Sequence, residues 1–349
     1  MTRTRRRHSP LFTRCHHRLE KRNIRMNLIR LTITPRTAFG TRPMGDTLFG
    51  QLCWALRNRH GEDRLVECLQ GYTEGRPYAV VSDAFPGGHL PRPTLPNHWF
   101  AAVESADRKQ VKKRVWLPKE DLSTPVENWL NVCKTAADIP GAEPHSRPQP
   151  HNSINRATGT TGTGQFAPYS MSQLWYGTKK SESNVQPNLD IYVVLDETRL
   201  SREELKRLFQ DMGEFGFGRD ATIGLGKFEL AGIEPDALPD QADANAWLTL
   251  APSAPQGLEL DAERSFYQTF TRFGRHGDIG VHLGNPFKTP VLLAQTGAVL
   301  TPKRFHPAPF VGQGLGGNGQ LTKIRSLQGT VHQGYAPAVG IRLPERNAR

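Results

Sequence analysis

Apolar and polar residues follow one another along this chain in patterns that predict alternating strands and helices from Met26 onward. Residues 26–33 (MNLIRLTI) form a short apolar run typical of a strand. A helix is predicted from Gly45, with Asp46 as a candidate N-cap, because the apolar residues that follow recur at helical spacing as far as Gly61. The same criteria predict a helix over 63–70 and strands over 78–85, 190–195 and 227–233.

The strongest helix signal lies between the last two of these strands. Ser201 and Glu204 have the spacing of a capping box, in which each side chain binds the other residue's backbone N–H. Apolar residues then follow at positions i, i+3, i+4 and i+7, namely Leu205, Leu208, Phe209 and Met212. A helix that begins after Ser201 is therefore predicted.

The element order predicts an α+β fold. Residues 26–235 are predicted to form a ferredoxin-like, or RNA-recognition-type, βαββαβ domain with a long polar insertion at about 140–168. A loop of that length is usually functional or disordered. The remaining residues, 236–349, predict a smaller β-rich domain with strands over 246–250, 290–300 and 338–343.

Length and composition narrow the class of protein. The 349 residues suffice for two domains, and no run approaches the roughly 18 apolar residues of a membrane span, so a soluble protein is expected. The four cysteines include no C-x-x-C pair and no matching histidine spacing, which argues against a zinc site and a disulfide framework. A reducing cytoplasm is the expected location.

The net charge of +12 is concentrated at the N-terminus. Residues 1–25 contain nine Lys or Arg and one acid, which gives 9 − 1 = +8 and leaves 12 − 8 = +4 for the rest of the chain. This basic extension could bind phosphates without specificity, but it lacks the apolar core of a secretory signal. Because Met26 opens the first strand directly, residues 1–25 are interpreted as a disordered arm or the product of an upstream start site.

Two glycine-rich stretches are the candidate binding elements. The first glycine stretch is 215–226 (FGFGRDATIGLG) and the second is 311–319 (VGQGLGGNG). Glycine lets a backbone approach a ligand closely, so main-chain amides could grip an anionic polymer such as RNA. Cations accompany both stretches, namely Arg219, Lys227, Lys323 and Arg325.

Each stretch also has a plain structural interpretation. The first could be a glycine C-cap with Phe215 and Phe217 turned into the core, and Arg219 and Lys227 would then be solvated. The second contains G-x-G-x-x-G, but a poor strand precedes it and a weak helix follows, so a dinucleotide site is not expected. It could also be a plain flexible hairpin.

Candidate catalytic groups are few. The histidines nearest these stretches are His151, His306 and His332, and one of them could act as an acid or base on a ribose 2′-hydroxyl. Acids such as Asp83, Asp190 and Asp220 lie in strand or turn contexts where capping explains them. We therefore expect no enzyme activity, no metal and no cofactor. Arg156 in the insertion is either a phosphate contact or a solvated loop residue.

Several segments together resemble the fourth Csm subunit of type III-A CRISPR effector complexes. The similarity is carried by RLTITPRTAFGTRPMGDTLFGQLCWAL, LQGYTEGRPYAVVSDAFP, LPRPTLP, HNSINRATGTTGTGQFAPY, GFGRDATIGLGKFEL, GLGG and TVHQGYAP. It covers essentially 26–343 and leaves out residues 1–25. The family belongs to the RAMP superfamily and is related to the Cas-five group.

The resemblance implies two ferredoxin-like domains whose glycine-rich loops bind CRISPR RNA. It implies a noncatalytic subunit that holds the repeat-derived 5′ handle of the guide and joins the large polymerase-like subunit to the first backbone RAMP subunit, in antiviral defence. The family's loop motifs fall on Gly216, Gly218, Gly224, Gly226, Gly312, Gly314, Gly316, Gly317, His151, Asn155, Arg156, His332 and Gln333. The insertion is the candidate for a thumb-like hairpin.

Two other functions remain open at this point. The first is an endoribonuclease that processes CRISPR transcripts on the same scaffold, with His151 or His332 as acid or base. The second is a structural bridging subunit whose RNA contacts are incidental.

Overall fold

The structure is a computed structural model. It describes residues 26–102, 107–141, 143–177, 187–282, 286–317 and 329–345. The basic extension 1–25 lies outside the described residues, as do Lys323 and Arg325, so the interpretations placed on them stay predictions. None of the described helices is long and apolar enough to cross a membrane.

Fifteen strands and five α-helices make up the described fold. The strands are β1 (Met26–Pro35), β2 (Ala79–Pro86), β3 (His89–Pro91), β4 (Arg114–Pro118), β5 (Lys134–Thr135), β6 (His145–His151), β7 (Tyr169–Trp175), β8 (Leu189–Asp196), β9 (Phe228–Pro235), β10 (Ala246–Thr249), β11 (Thr269–Arg272), β12 (Val291–Ala294), β13 (Val299–Leu300), β14 (Phe310–Gly316) and β15 (Val331–Ile341). The helices are α1 (Gly45–His60), α2 (Glu62–Leu69), α3 (Arg108–Lys112), α4 (Trp129–Val132) and α5 (Arg202–Phe215).

The first sheet contains the four strands that the sequence predicts over 26–33, 78–85, 190–195 and 227–233. Its four strands run β2-β8-β1-β9, with every neighbouring pair antiparallel. Helix α1 connects β1 to β2 and α5 connects β8 to β9, so the two crossovers interleave as a βαββαβ order requires. The predicted capping box of α5 is confirmed, because Glu204 N donates to Ser201 Oγ over 3.2 Å and Ser201 N donates to the Glu204 carboxylate over 2.9 Å.

Both faces of this sheet are buried. On one face Leu31 and its neighbours pack against the apolar sides of α1 and α5, including Leu48 and Phe209. Successive side chains in a strand point to opposite faces. Tyr192 of β8 therefore enters a second core that it shares with Trp129 and Val339. The segment between β2 and β8 and the C-terminal sheet thus cover the second face.

The segment between β2 and β8, which includes the predicted insertion at 140–168, is rich in regular structure. Strands β3, β4 and β5 form a small antiparallel sheet, and Trp129 of α4 is completely buried beneath it. The polar stretch predicted at 140–168 is not an open loop along its whole length. Strands β6 and β7 pair over seven residues to form a hairpin that carries residues 152–168 at its tip.

The C-terminal part is built on the sheet β13-β10-β15-β14, with the separate hairpin β11–β12 beside it. The single strand predicted over 290–300 is wrong, because a turn containing Gly297, at φ +84°, divides it into β12 and β13. From residue 236 to 345, the described residues form strands and 3-10 turns but no α-helix. The β-rich character is confirmed, and a second ferredoxin-like domain stays a prediction.

A polar junction joins the two sheets around the start of α1. Val81 N donates to Gln333 Oε1 over 2.9 Å, and Gln333 Nε2 donates to Val81 O over 2.7 Å. Asp46 is not the N-cap that the sequence predicts, because α1 starts without a side-chain cap at Met44. Its carboxylate instead holds the Arg272 guanidinium at 2.7 Å and 3.0 Å.

Asp83 supplies the cap that Asp46 does not. Gly45 N donates to Asp83 Oδ1 over 2.7 Å, and Thr296 Oγ1 donates to Asp83 Oδ2 over 2.6 Å. Burial raises the pKa of the Asp83 carboxyl to about 7, although these two hydrogen bonds oppose the rise. The carboxyl is therefore half protonated near neutral pH in the folded chain.

This pKa predicts a pH dependence of stability. An unfolded aspartate has a pKa of 3.8, so the folded chain binds a proton that the unfolded chain lacks between about pH 4 and 7. The stabilisation from this proton is complete below pH 4 and is lost as the pH rises through 7. We expect Asp83→Asn to flatten the fall in thermal midpoint between pH 5 and 8, in melts read by circular dichroism. An unchanged slope in Asp83→Asn would contradict the assignment.

Candidate nucleic-acid interface

Three segments separated in sequence meet at one end of the first sheet, and we call them together the basic surface: residues 36–44, the hairpin β6–β7 and the first glycine stretch. The backbone groups of Phe39 and Leu174 exchange two hydrogen bonds of 2.8 Å, which fix the base of the hairpin. Gly226 N donates to Ala38 O over 2.7 Å and therefore ties the glycine stretch to the same segment.

The first glycine stretch folds tightly on itself after α5. Gly216 is the C-cap, at φ +99°, and its N–H binds Met212 O over 2.9 Å. A Cβ on Gly226 would lie 2.1 Å from Phe217 O, and one on Gly218 would lie 2.8 Å from Thr41 Cβ. At Gly224 there is open space and φ is +98°. Most of these glycines are therefore needed to close the loop, and the Gly224 turn is its open part.

The side chains of this stretch divide between core and surface. Phe217 is buried, as the C-cap interpretation predicts, whereas the expectation that Phe215 also enters the core is wrong, since its ring is largely exposed. Arg219 reaches out of the loop and donates to Ser172 O of β7. It also contacts the Asp220 carboxylate at 3.2 Å. Lys227 is exposed, so a cation and an aromatic ring flank the glycines at the surface.

One face of the β6–β7 hairpin combines aromatic rings with nitrogen-bearing side chains. The register places four cross-strand pairs on this face, His145–Trp175, Arg147–Gln173, Gln149–Met171 and His151–Tyr169. The Arg147 guanidinium lies 5.6 Å from the Trp175 ring centre. The rings of His151 and Tyr169 stack at 5.3 Å with 14° between their planes. Such rings can stack on unpaired bases.

The tip of the hairpin is organised by Asn155. Its Oδ1 accepts from Ala157 N at 2.9 Å, and its backbone pairs with Thr160. Arg156 follows in this turn with its side chain exposed. The structure thus places His151, Asn155 and Arg156 along one protruding hairpin, where Asn155 holds the turn and Arg156 can reach a phosphate.

The basic surface is strongly cationic. Its segments 36–44, 145–175 and 215–227 contain one acid, Asp220, and six Lys or Arg residues: Arg36, Arg42, Arg147, Arg156, Arg219 and Lys227. These cations account for a net +5 when the single acid is subtracted, 6 − 1, although the chain after residue 25 carries only +4. These segments therefore carry an excess of positive charge, part of which is offset where Arg36 pairs with Glu229 of β9.

The second glycine stretch lies in a different environment from the one predicted. Gly312, Gly314 and Gly316 belong to the regular strand β14, paired with β15, and do not form an open loop. A Cβ on Gly312 would lie 2.2 Å from Gly334 O, and one on Gly314 would lie 2.6 Å from Tyr72 O. Glycine is therefore used here so that β14 can pack directly against the turn at Tyr72.

The residues next to this strand are internal or outside the described range. Gln333 is fully buried with its amide bonded to Val81, and His332 is buried with Nε2 3.4 Å from Asp46 Oδ2. Neither side chain can reach RNA in this conformation, so their prediction as RNA contacts is corrected to a role in the polar junction. Gly317, at φ +71°, ends the described part of the stretch close to Thr73.

Within the described ranges, no three His, Cys, Asp or Glu side chains are grouped closely enough to hold a metal ion. Burial raises the pKa of the Cys53 and Cys133 thiols to about 12, so neither is a ready nucleophile. The arrangement can bind phosphates and stack bases.

Sequence reasoning missed Arg147, Tyr169 and Trp175. The runs HSRPQPH and YSMSQLW alternate as strands do, but five of their positions are proline or serine and the alternation gives no continuous apolar face. Only the pairing of the two runs shows that these side chains share one face.

Comparison with known proteins identifies relatives of the fold. The model of the RAMP superfamily matches residues 7–229, a match that starts within the basic extension. The fold is similar to a chain of the Csm1–Csm4 cassette in complex with pppApA, at 15% identity and a TM-score of 0.56, with 91% of this chain and 99% of that chain covered.

A second similar structure comes from the Csm3–Csm4 subcomplex of the type III-A CRISPR-Cas interference complex. The match there has 12% identity and a TM-score of 0.54, and it covers 91% of this chain and 100% of the other. Csm4 is the component that both assemblies share. A search of curated protein sequences found no significant match.

Proposed function

Because this chain belongs to the RAMP superfamily, we propose that it is the Csm4-like subunit of a type III-A CRISPR effector complex, which anchors the repeat-derived 5′ handle of the CRISPR RNA in the cytoplasm. The observation that carries the proposal is the near-complete fold likeness to chains from two assemblies that share Csm4. The basic surface supplies the chemistry that RNA binding requires.

The form of the basic surface supports recognition of single-stranded RNA. Sequence-specific RNA binding depends on unpaired bases that stack on aromatic rings, together with a few cations at the phosphates. Trp175 and Tyr169 offer rings beside Arg147, and Arg219 and Lys227 lie on the adjoining glycine stretch. A short, unpaired handle fits this combination better than a duplex does.

A bridging role belongs to the same proposal. Csm1 and Csm3, the partners of Csm4 in the two similar structures, correspond to the large subunit and the backbone subunit that we assign to this chain as neighbours. We also propose that the C-terminal sheet, with β14 and β15 at its edge, is the counterpart of a second ferredoxin-like domain. Its glycines would then serve the packing between domains.

We assign no catalytic role to this subunit. The nuclease alternative needs an acid or base at the RNA, but His332 is enclosed beside Asp46 and His151 is stacked on Tyr169. Cleavage of the guide by the isolated chain, lost on His151→Ala, would favour the nuclease instead.

The hairpin face predicts specific RNA-binding defects. We expect Trp175→Ala and Arg147→Ala each to weaken binding of a handle-containing RNA by about five- to tenfold, because each removes a stacking or charge contact of about 1 kcal/mol. Ser146→Ala, on the opposite face of the same strand, is the matched control and should bind as the wild type does. Fluorescence anisotropy with labelled RNA measures the difference, and equal affinities in all four proteins would exclude this face.

Reconstitution tests the complete assignment. The large polymerase-like subunit, the backbone RAMP subunit and CRISPR RNA are combined with and without this chain, and the assemblies are separated by size. We expect the large subunit to leave the filament when the chain is omitted, and Trp175→Ala to lower guide retention while assembly persists. A large subunit that joins the filament without the chain would overturn the bridging role, and full guide retention in Trp175→Ala would favour a purely structural bridge.

A further inference from the structure

A second hairpin, β11–β12, presents aromatic rings to solvent at a distance in sequence from the basic surface. Phe273 is 73% exposed and Phe287 is 55% exposed, values that are unusual for large aromatic side chains in a folded domain. The segments 269–275 and 287–292 that carry them belong to none of the sequence motifs considered above.

The orientation of this hairpin is set by its inner side. Along β11 and the residues after it, exposed and covered positions alternate strictly from Thr269 to His276. Arg272 on the covered side is held by both carboxylate oxygens of Asp46. Asn58 Nδ2 donates to Asp278 Oδ2 over 2.7 Å and attaches the tip to α1. A ribbon fixed in this way must display Phe273 and Arg275 outward.

The outward face has the chemistry of a stacking platform. The Arg275 guanidinium lies 5.3 Å from the Phe287 ring centre, in a cation–π contact, and no carboxylate of the described residues lies within salt-bridge distance of it. Thr269 and Thr271 add exposed hydroxyls. Of the three cations in residues 269–294, Arg275 is the exposed one, since Arg272 is paired with Asp46 and Lys288 is partly covered, so Arg275 gives the outward face its positive charge.

The two hairpins are anchored on one short stretch of chain. Phe39 binds the base of β6–β7 through Leu174, and Asp46 binds β11–β12 through Arg272. Seven residues of fully extended chain span about 25 Å, so the two anchors are no farther apart than that. The anchors of the two ribbons are therefore within a distance that a short single-stranded RNA can span.

We propose that the outward face of the β11–β12 hairpin is a second contact for single-stranded RNA, in which Phe273 and Phe287 stack on unpaired bases and Arg275 binds the neighbouring phosphate. The inference rests on the proposed function and extends it, because it adds a binding site beyond the basic surface. The occupant is the guide strand beyond the segment held by β6–β7.

The test measures binding of the full chain to a fluorescein-labelled single-stranded RNA that carries the repeat-derived 5′ handle, at several salt concentrations. We expect Phe273→Ala to weaken binding at least about fivefold at every salt concentration. Phe273→Trp, which retains a ring, should restore affinity. Arg275→Ala should reduce the salt slope by about 0.7, the value for one phosphate contact on a single strand.

Leu292→Ala is the matched control, because Leu292 is 55% exposed on the same face but offers no ring to a base. Its affinity should stay within about twofold of the wild type. Equal losses in Leu292→Ala and Phe273→Ala, or a loss that Phe273→Trp does not restore, would overturn base stacking.

Other results separate this inference from the proposed function. If Trp175→Ala loses affinity while Phe273→Ala and Arg275→Ala bind normally, the second contact is wrong and the handle-anchoring role stands. If Phe273→Ala keeps RNA affinity but loses the large subunit in reconstitution, the face is a protein contact and the inference is overturned. If the wild-type chain does not bind the RNA, both proposals fail.

Discussion

Replacing Asp46 with alanine is expected to destabilise the fold by about 3 kcal/mol, because it leaves the Arg272 guanidinium, whose side chain is only 19% exposed, without its partner. The Asp46 side chain is completely buried, and Arg272 binds it with two hydrogen bonds while His332 approaches from β15. Burial alone would raise the pKa of this carboxyl, but His332 and Arg272 outweigh it and hold the pKa below the usual range. The charged form is therefore the stable one in the folded chain.

Urea unfolding at pH 7, followed by circular dichroism, measures this loss. Glu74→Ala removes an exposed surface ion pair with Arg76 and should cost under about 1 kcal/mol, which makes it the matched control. The double variant Asp46→Ala/Arg272→Ala should lose less than the sum of the two single variants, because the uncompensated charge is removed as well. A loss in Asp46→Ala no larger than that in Glu74→Ala would show that the polar junction does not stabilise the fold.

Gly226→Ala is expected to disrupt the first glycine stretch and, with it, RNA binding. Gly226 has φ +72°, a conformation that costs an L-residue of order 1–2 kcal/mol. The added Cβ would also lie 2.1 Å from Phe217 O, so the two sides of the loop must separate. We expect a total loss of at least about 2 kcal/mol of stability and a reduced affinity for handle-containing RNA.

Gly224 provides the comparison within the same loop. Its φ of +98° is equally strained for alanine, but a Cβ there meets no atom within 4 Å. Gly224→Ala should therefore cost only about 1 kcal/mol and leave the loop closed. The two variants are compared by thermal unfolding and by anisotropy with labelled RNA. Equal stability and affinity in both would mean that the close approach of Gly226 is not required.

Local signals predicted the first domain well. The capping box at Ser201 and the strand over 26–33 depend on residues adjacent in sequence, and the structure confirms both. The predicted order of strands and helices along the chain also agrees with the βαββαβ order of the structure, whose strand pairing only the structure shows. The secondary structure of the first domain can therefore be predicted from patterns of neighbouring residues.

Features that depend on distant partners could not be predicted in the same way. Aspartate at position 46 is a residue type that often caps helices, but its carboxylate binds Arg272, which lies 226 positions later in the sequence. The glycines of β14 suggested an open loop, but they lie in a strand against Tyr72. The residues adjacent in sequence do not determine which distant segment a strand or side chain will pack against.

The residues of the candidate site also divide into those that local motifs predict and those that depend on distant partners. Arg156 and Arg219 were found from motifs and lie on the basic surface, whereas Gln333, found by the same resemblance, is buried. Arg147 and Trp175 were missed because their shared face exists only once β6 pairs with β7. Base-stacking surfaces built from two strands therefore require the register before they can be recognised.

The measurement that tests guide anchoring most directly is binding of the purified chain to labelled CRISPR RNA with and without its repeat-derived 5′ handle, with cleavage followed in the same samples. We predict tighter binding when the handle is present, an affinity that falls with salt as phosphate contacts require, and an intact RNA throughout. Equal affinity for both RNAs, or cleavage within the repeat, would contradict the account of a noncatalytic handle-binding subunit.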